Sequence, residues 1–473
     1  MSELLNVSSL AQADVGLQAP FGLVVPGKEP LQCLEVYRHL PGKRVVFRAH
    51  WGGADALVKL FFQKKYFQRE QDGLAALSDS DVPCPKKIWS LTDDSSYFLA
   101  TGFLPDAVSL EDCYQGLTPG QLLPLLKDAV TCIGQLHRKG WQQADIHLDN
   151  FLLSGGKLHV IDGGGIEPLT DEKGAVDNLG LFFAQMVPDY DDLMPEAMVG
   201  YGTDAPQLNE VKQAIIRMRE KRIQHYQSKS VRSCTQFEVM QSASAFIALQ
   251  RKFASQALLK LLNEPEVVIG NAGFLKQGNS STVVKIPSED GGWVVKRYNI
   301  KSFWHGLRRC FRPSRAWVSW KNAYRLELLG IATPKPLAMR ENRSGPLRRE
   351  AYLITEYSSG EGLQGWLLQR GDRPVPQWLD DAVVRMFDIF WHSQVSHGDM
   401  KATNLLVTEG AELQLIDLDA LTHHQSARKF RKAFAKDLRR FLDNWQGSTW
   451  QHFADLLTPL AKQAGCVLKN NRI

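Results

Sequence analysis

The order of signals along the first half of the chain is repeated in the second, and that duplication constrains the fold more than any single motif. In the first half, RVVFRAHW (44–51) and ALVKLF (56–61) are rich in branched and aromatic residues and predict adjacent strands. A helical stretch, FQREQDGLAAL (67–77), follows, then the extended VPCPKKIWSL and a further strand, SSYFLATGF (95–103). QLLPLLKDAVTCIGQLHRKG (121–140) sets Leu122, Leu125, Leu126, Ala129, Val130, Ile133 and Leu136 at helical spacing. WQQADIHLDNFLL, a short turn and LHVIDGGGI end the first pass. The second pass runs STVVKI (281–286), GWVVKRY (292–298), the helical SWKNAYRLELLG, IATPKPLAM, AYLITEY (351–357), the long helix WLDDAVVRMFDIFWHSQ (378–394), VSHGDMKATNLLV and LQLIDLDAL. Strands first and helices later predict an α+β class: two tandem bilobal domains, each with a β-rich N-lobe and a helical C-lobe flanking a cleft. The expected division is 1–262, with a mostly helical tail and linker over 205–262, and 263–473.

A chain of 473 residues is too long for one core, and its 44% hydrophobic and 23% charged residues are ordinary for a soluble globular protein. No apolar run approaches the roughly 18 residues a membrane span requires, and MSELLNVSSL has neither the basic start nor the apolar stretch of a secretory leader. Seven scattered cysteines, never in a CxxC pair, argue against a disulfide framework or a Cys-based zinc site. A cytoplasmic protein is expected. Net charge is only +5, but no acidic residue occurs from Gly291 to Leu326, where Lys296, Arg297, Lys301, Arg308, Arg309, Arg312, Arg315, Lys321 and Arg325 alternate with Phe303, Trp304, Leu307, Phe311, Trp317 and Trp320. That stretch suits an anionic membrane surface or a phosphorylated glycolipid. A solvated helix face with a core-facing aromatic stripe is the competing reading.

The strongest chemical signal is Asp399-Met-Lys401-Ala-Thr-Asn404 followed by Asp417 at the end of an apolar strand. Phosphoryl transfer from ATP requires a carboxylate near the attacking hydroxyl, oxygen ligands for magnesium and a cation on the phosphates. Asp399 fits the orienting carboxylate, Asn404 and Asp417 supply hard oxygen ligands for Mg²⁺, and Lys401 can neutralise the transferring group. The first half carries Asp145, Asn150 and Asp162 at nearly the same spacing. Surface turns rich in Asp and Asn are the bland alternative, but a long amphipathic helix before each motif and an Ile-Asp after it weigh against chance. Lys59 and Lys296 sit in predicted strands where a phosphate-contacting lysine belongs, and Glu70, on a predicted helix, can pair with Lys59. The second half has no glutamate at that offset, and Glu327 is the nearest candidate. GNAGFLKQGNSSTVVK (270–285) offers backbone amides for phosphate, and LPGKR (40–44) offers fewer.

These residues resemble the lipopolysaccharide core kinase (Kdo/WaaP) family of protein-kinase-like enzymes. ADIHLDNFLL with VIDGGGI, HGDMKATNLLV with LIDLDAL, the VPCP and IATPKP segments, and the AVDNLGLFF and FAKDLRRFL helices carry the resemblance, which covers nearly the whole chain as two copies. It implies ATP and Mg²⁺, phosphorylation of a heptose or Kdo sugar of the lipid A–core glycolipid, and peripheral contact with the cytoplasmic face of the membrane, with no nucleic acid involved. It also implies that Asp145 and Asp399 are catalytic, that Asn150, Asp162, Asn404 and Asp417 bind metal, and that Lys59 and Lys296 contact ATP. His147 stands where Lys401 stands in the second copy, and DGGG replaces DLD. The second copy is favoured as the active one, because its base, lysine and both metal ligands are intact; activity of the first stays open, since Lys59, Glu70, Asp145, Asn150 and Asp162 are all present.

Two other functions fit part of the pattern. A Ser/Thr or Tyr protein kinase shares the catalytic geometry but needs a peptide-holding segment, and only 19 residues separate Asp417 from Asp437 and 14 separate Asp162 from Asp177. A scaffold, with one or both domains binding nucleotide without turnover, is the third reading.

Overall fold

The computed structural model describes residues 4–12, 17–93, 96–270, 272–278, 281–288, 291–299, 312–345, 347–371, 373–466 and 468. It divides into two compact units, 1–219 and 220–473, so the division falls well before the expected 262/263. The reason lies in 205–262, which is not mostly helical. After the helix Leu208–Lys229 the chain forms a hairpin, Phe237–Gln241 with Ala245–Gln250. Its second strand pairs with Pro336–Ser344, which makes the hairpin part of the second unit's sheet.

Each unit is α+β. In the first, seven strands lie in the order Leu4–Leu5, Phe21–Leu23, Leu31–Leu40, Arg44–Trp51, Ala54–Phe61, Ser96–Gly102, Lys87–Asp93. Alternation along two central strands buries Val45, Phe47 and Ala49 with Ala56, Val58 and Leu60 on one face. Lys59, between Val58 and Leu60, is thereby turned to the opposite face. The helical part is built on Pro119–Arg138, whose Leu122, Leu126, Val130 and Ile133 pack with Phe151, Phe182 and Phe183. The side chain of Gln121 accepts the Thr118 N–H at 3.1 Å and caps this helix.

The second unit has a seven-stranded sheet in the order Phe237–Gln241, Ala245–Gln250, Pro336–Ser344, Leu347–Glu356, Trp293–Tyr298, Ser281–Ile286, Gly273–Gln277. Both faces are covered. Val284, Val295, Ala338 and Ile354 pack on Leu258, Leu261 and Leu262 of Gln256–Asn263. Phe246, Tyr298, Met339 and Leu353 pack on Ala316, Trp320 and Tyr324 of Arg315–Leu328. Helices Gln377–His392, Ala427–Leu442 and Gly447–Gln463 enclose a separate aromatic core that includes Phe387, Phe434, Phe441 and Phe453.

Within the basic aromatic stretch, residues 300–311 lie outside the described residues, and with them Lys301, Phe303, Trp304, Leu307, Arg308, Arg309 and Phe311. Parts of the described remainder belong to the interior and its ion pairs. Trp320 is fully buried, Arg325 is paired with Glu220, and Arg315 is paired with Asp419.

Candidate functional site

In the second unit the segment after Val395–Ser396 is fixed from beneath. His397 is fully buried, and its Nε2–H donates to the Ile416 carbonyl at 3.1 Å. The Asp437 carboxylate, buried on the helix Ala427–Leu442, accepts the His397 N–H at 2.6 Å and the Gly398 N–H at 3.0 Å. Gly398 takes φ 83, and a Cβ there would lie 3.0 Å from the Ala420 carbonyl oxygen, so the position requires glycine. Asp399 follows on this anchored turn. Lys401 Nζ lies 2.8 Å from its Oδ2, Arg440 Nε lies 3.7 Å from its Oδ1, and its own carbonyl accepts the Asn404 Nδ2–H at 2.9 Å. The Asn404 carbonyl in turn accepts the Ile416 N–H at 2.9 Å, so Asn404 lies against the strand end that carries Asp417.

Asp417 adopts a left-handed backbone, φ 64, and its Oδ1 lies 2.5 Å from Lys296 Nζ. Burial raises the carboxyl pKa of Asp417, but Lys296, a hydrogen bond with Asp419 and the charge of Arg315 together bring it below the usual range. Asp419 goes the other way: burial and the neighbouring Asp417 raise it, against the pull of Arg315. Glu327 is not the partner of Lys296. It lies at the far end of Arg315–Leu328, and the charges acting on it are those of Lys252 and Lys335.

The first unit assembles a parallel set of residues. Ile146 and Leu148 are buried and anchor the turn, leaving Asp145 and His147 exposed, with His147 Nε2 3.7 Å from Asp145 Oδ1. The Asp145 carbonyl accepts the Asn150 Nδ2–H at 3.0 Å, as in the second unit. Asp162 is again left-handed, φ 67, and lies 3.9 Å from Lys59 Nζ. Lys59 pairs with Glu70 at 2.5 Å, as its offset on the predicted helix suggested. Both Glu70 oxygens are held by the backbone, one by the Gly163 N–H and one by the Gly164 N–H, each at 3.1 Å. The helix Lys64–Asp79 approaches this loop so closely that a Cβ on Gly73 would meet the Gly163 carbonyl oxygen at 1.8 Å.

The two units therefore solve the same packing problem with opposite charge. In the first, the helix supplies a carboxylate, Glu70, to loop amides. In the second, the helix supplies a guanidinium, Arg315, to the loop carboxylate Asp419, and Asn322 Nδ2 donates to the Leu418 and Leu421 carbonyls. The sequence pattern also hid a difference on the other side of the site. The first-unit residue in the place of Asp437 is Asn178, not Asp177. Asn178 Nδ2 donates to the Gln143 carbonyl at 2.8 Å, whereas Asp177 pairs with Arg217. A carboxylate that accepts two backbone N–H groups has become an amide that donates to one carbonyl.

In both units the asparagine amide spends its N–H on a backbone carbonyl, Oδ1 has no hydrogen bond among the described residues, and the asparagine carbonyl binds the N–H of the residue before Asp162 or Asp417. An oxygen pair of this kind fits Mg²⁺, which commonly takes one or two protein ligands and completes its shell with phosphates and water.

A carboxylate flanked by cations, an amide and a second carboxylate on adjoining turns, and a strand lysine are the parts of a kinase-type phosphotransferase site. Residues 277–456 match the Lipopolysaccharide kinase (Kdo/WaaP) family. A 3-deoxy-D-manno-octulosonic acid kinase of Xylella fastidiosa (strain 9a5c) is 25% identical over 173 residues, 37% of this chain and 65% of the relative. One of Photobacterium profundum is 30% identical over 127 residues, 26% of this chain and 51% of the relative. The chain thus spans between about half and two thirds of the length of these relatives.

Proposed function

We propose that the chain is a pair of bilobal protein-kinase-like domains and that the second transfers phosphate from ATP, with Mg²⁺, to a sugar hydroxyl of the lipopolysaccharide core. The observation that carries this reading is the linkage of Lys296 to Asp417, of the neighbouring Ile416 N–H to the Asn404 carbonyl, and of Asn404 to Asp399 and its partner Lys401. Asp399 orients the acceptor hydroxyl and takes its proton. Lys401 and Arg440 hold that carboxylate in place and offset negative charge on the moving phosphoryl group. Asn404 and Asp417 would hold the metal, which supplies charge neutralisation on the phosphates, and Lys296 contacts the nucleotide. The names of the relatives favour Kdo over heptose as the acceptor.

The helix Ala427–Leu442 supports an anionic acceptor at a membrane face. Arg428, Lys432, Lys436 and Arg440 recur every fourth residue along it, all exposed, and its one acidic residue, Asp437, is buried. That ridge is about 18 Å long and ends at Asp399. Because like charges four residues apart destabilise a helix, a ridge of one sign suits an anionic partner.

The test is phosphate transfer by the full chain to purified Kdo-bearing core glycolipid. Asp399→Ala is expected to abolish transfer while ATP binding persists. Retained transfer would refute the role of Asp399. Transfer to peptide with none to glycolipid would make the chain a protein kinase, and nucleotide binding with no transfer by the wild type would make it a scaffold.

A further inference from the structure

On strand Trp293–Tyr298, alternation turns Lys296 toward Asp417 and its neighbour Arg297 to the opposite face of the sheet, where Val295 packs on Leu258, Leu261 and Leu262. On that far face the Arg297 guanidinium is divided between two partners. Its Nε–H donates to Glu266 Oε1 at 2.7 Å, on the helix Pro265–Gly270, and a terminal N–H donates to Asn299 Oδ1 at 2.9 Å. The buried Tyr352, directly across the strands from Arg297, donates its hydroxyl to the same Glu266 oxygen. A guanidinium only donates, so the oxygen of the Asn299 amide must face it and the nitrogen must face away. That nitrogen donates to the Gly278 carbonyl at 3.1 Å and reaches Thr282 Oγ1 at 3.4 Å. The Gly278 N–H in turn donates to the Ser281 carbonyl at 3.1 Å, so both backbone groups of Gly278 are committed.

The hairpin held in this way needs the tie. Its outer strand, Gly273–Gln277, is the edge of the sheet, exposed at every residue and broken in register between Phe274 and Lys276. A cavity of about 450 Å³, lined by Glu266, Ile269, Phe274, Gly278, Thr282 and Arg297, separates it from the helix Pro265–Gly270, so polar contacts rather than packed side chains join the two across it. The register sets where the tie acts. Val283 lies opposite Lys296 and Ser281 opposite Tyr298, which puts the hairpin end two residues, about 7 Å, along the sheet from Lys296. We propose that Arg297 and Asn299 are positioning residues for the phosphates of the nucleotide: from the face turned away from the site, they fix the Gly278 carbonyl and so hold the hairpin end beside the phosphates that Lys296 contacts. The inference rests on the reading of the second unit as a phosphotransferase.

The test is transfer by the full chain to Kdo-bearing core glycolipid, with KM for ATP read beside the inhibition constant of adenosine, which has no phosphates. Asn299→Asp is the decisive variant. It keeps the acceptor for Arg297 and adds a charge that strengthens that pair, but it sets a carboxylate oxygen against the Gly278 carbonyl. A role confined to pairing with Arg297 predicts an unharmed or firmer site. The positioning role predicts the reverse: KM for ATP rises about tenfold, with the adenosine constant unchanged. Asn299→Ala should raise KM for ATP by about threefold to tenfold. Arg297→Gln should do the same by freeing the amide to turn over, and the double variant Arg297→Gln with Asn299→Ala should be no worse than the poorer single one, because both act on one carbonyl. Unchanged KM for ATP in Asn299→Asp, or ATP and adenosine weakened alike, would overturn the proposal while leaving the transfer reading in place. No transfer by the wild type would instead overturn that reading and this inference with it.

Discussion

Replacing Asp437 with asparagine isolates the grip on the catalytic turn. The carboxylate accepts the His397 and Gly398 N–H groups at 2.6 and 3.0 Å. An asparagine retains one acceptor oxygen; in the place of Oδ2 it keeps the His397 N–H and only the longer, 3.2 Å contact with the Gly398 N–H, which loses its 3.0 Å bond and meets an Nδ2–H donor instead. Hydrogen bonds to a charged group are worth about 1.5–3 kcal/mol and neutral ones about 1. Losing one and weakening the other costs about 2–4 kcal/mol. Burial works in the opposite sense: it pushes the Asp437 carboxyl above its ordinary range, so removing the charge recovers part of the loss. The net is about 1–3 kcal/mol, a factor of roughly 5 to 150 in the local opening equilibrium. Hydrogen exchange at the His397 and Gly398 amides reads it directly, and both should exchange faster by that factor. Transfer should fall by a comparable factor in kcat with little change in KM for ATP, because Lys296 and Asp417 do not touch Asp437. Unchanged exchange at both amides, with kcat intact, would refute the reasoning.

Three further outcomes can be measured on the same protein. Gly73→Ala gains about 1 kcal/mol of helix propensity, but its Cβ would clash with the backbone at Gly163, and overpacking of about 1–3 kcal/mol should dominate, lowering the melting temperature of the first unit and its nucleotide affinity. Arg315 and Asp419 should show a coupling of about 1–3 kcal/mol in a double-mutant cycle read by urea midpoints, with Arg315→Met costing more than Asp419→Asn because Asp419 is already drawn toward its neutral form. The raised pKa of Asp437 means that the folded chain holds a proton the unfolded chain releases. Its contribution therefore favours the fold below a pH of about 4 and is lost as pH rises through the raised value, so Asp437→Asn should flatten the pH dependence of stability across that window.

Strand and helix positions were legible because alternation and helical spacing are written in the side chains. Arg44–Trp51 and Ser281–Ile286 occupy the residues the pattern marked, and Lys59 meets Glu70 as their spacing implied. The contacts that bring Asp399, Asn404, Asp417 and Lys296 together follow the same pattern. The hairpin Phe237–Gln241 and Ala245–Gln250 was not legible, since its short strands are defined by pairing with Pro336–Ser344, far along the chain. The partner of Lys296 was missed because a search for a glutamate on the following helix assumes that helices always bring the negative charge. Asn178 was missed because the adjacent Asp177 offered the expected residue type one position too early.

The opposite polarity at the two helix–loop contacts limits how the halves can be recombined. Grafting Lys64–Asp79 in place of Arg315–Leu328 would bring Glu70 toward Asp419 with no guanidinium between them. At about 4 Å and an effective dielectric of about 20 that repulsion is about 4 kcal/mol, a large share of what holds a domain together. Chimeras cut inside either unit should therefore fail to accumulate, whereas exchange of an intact helix together with its own loop should be tolerated: helix and loop form one inheritable module.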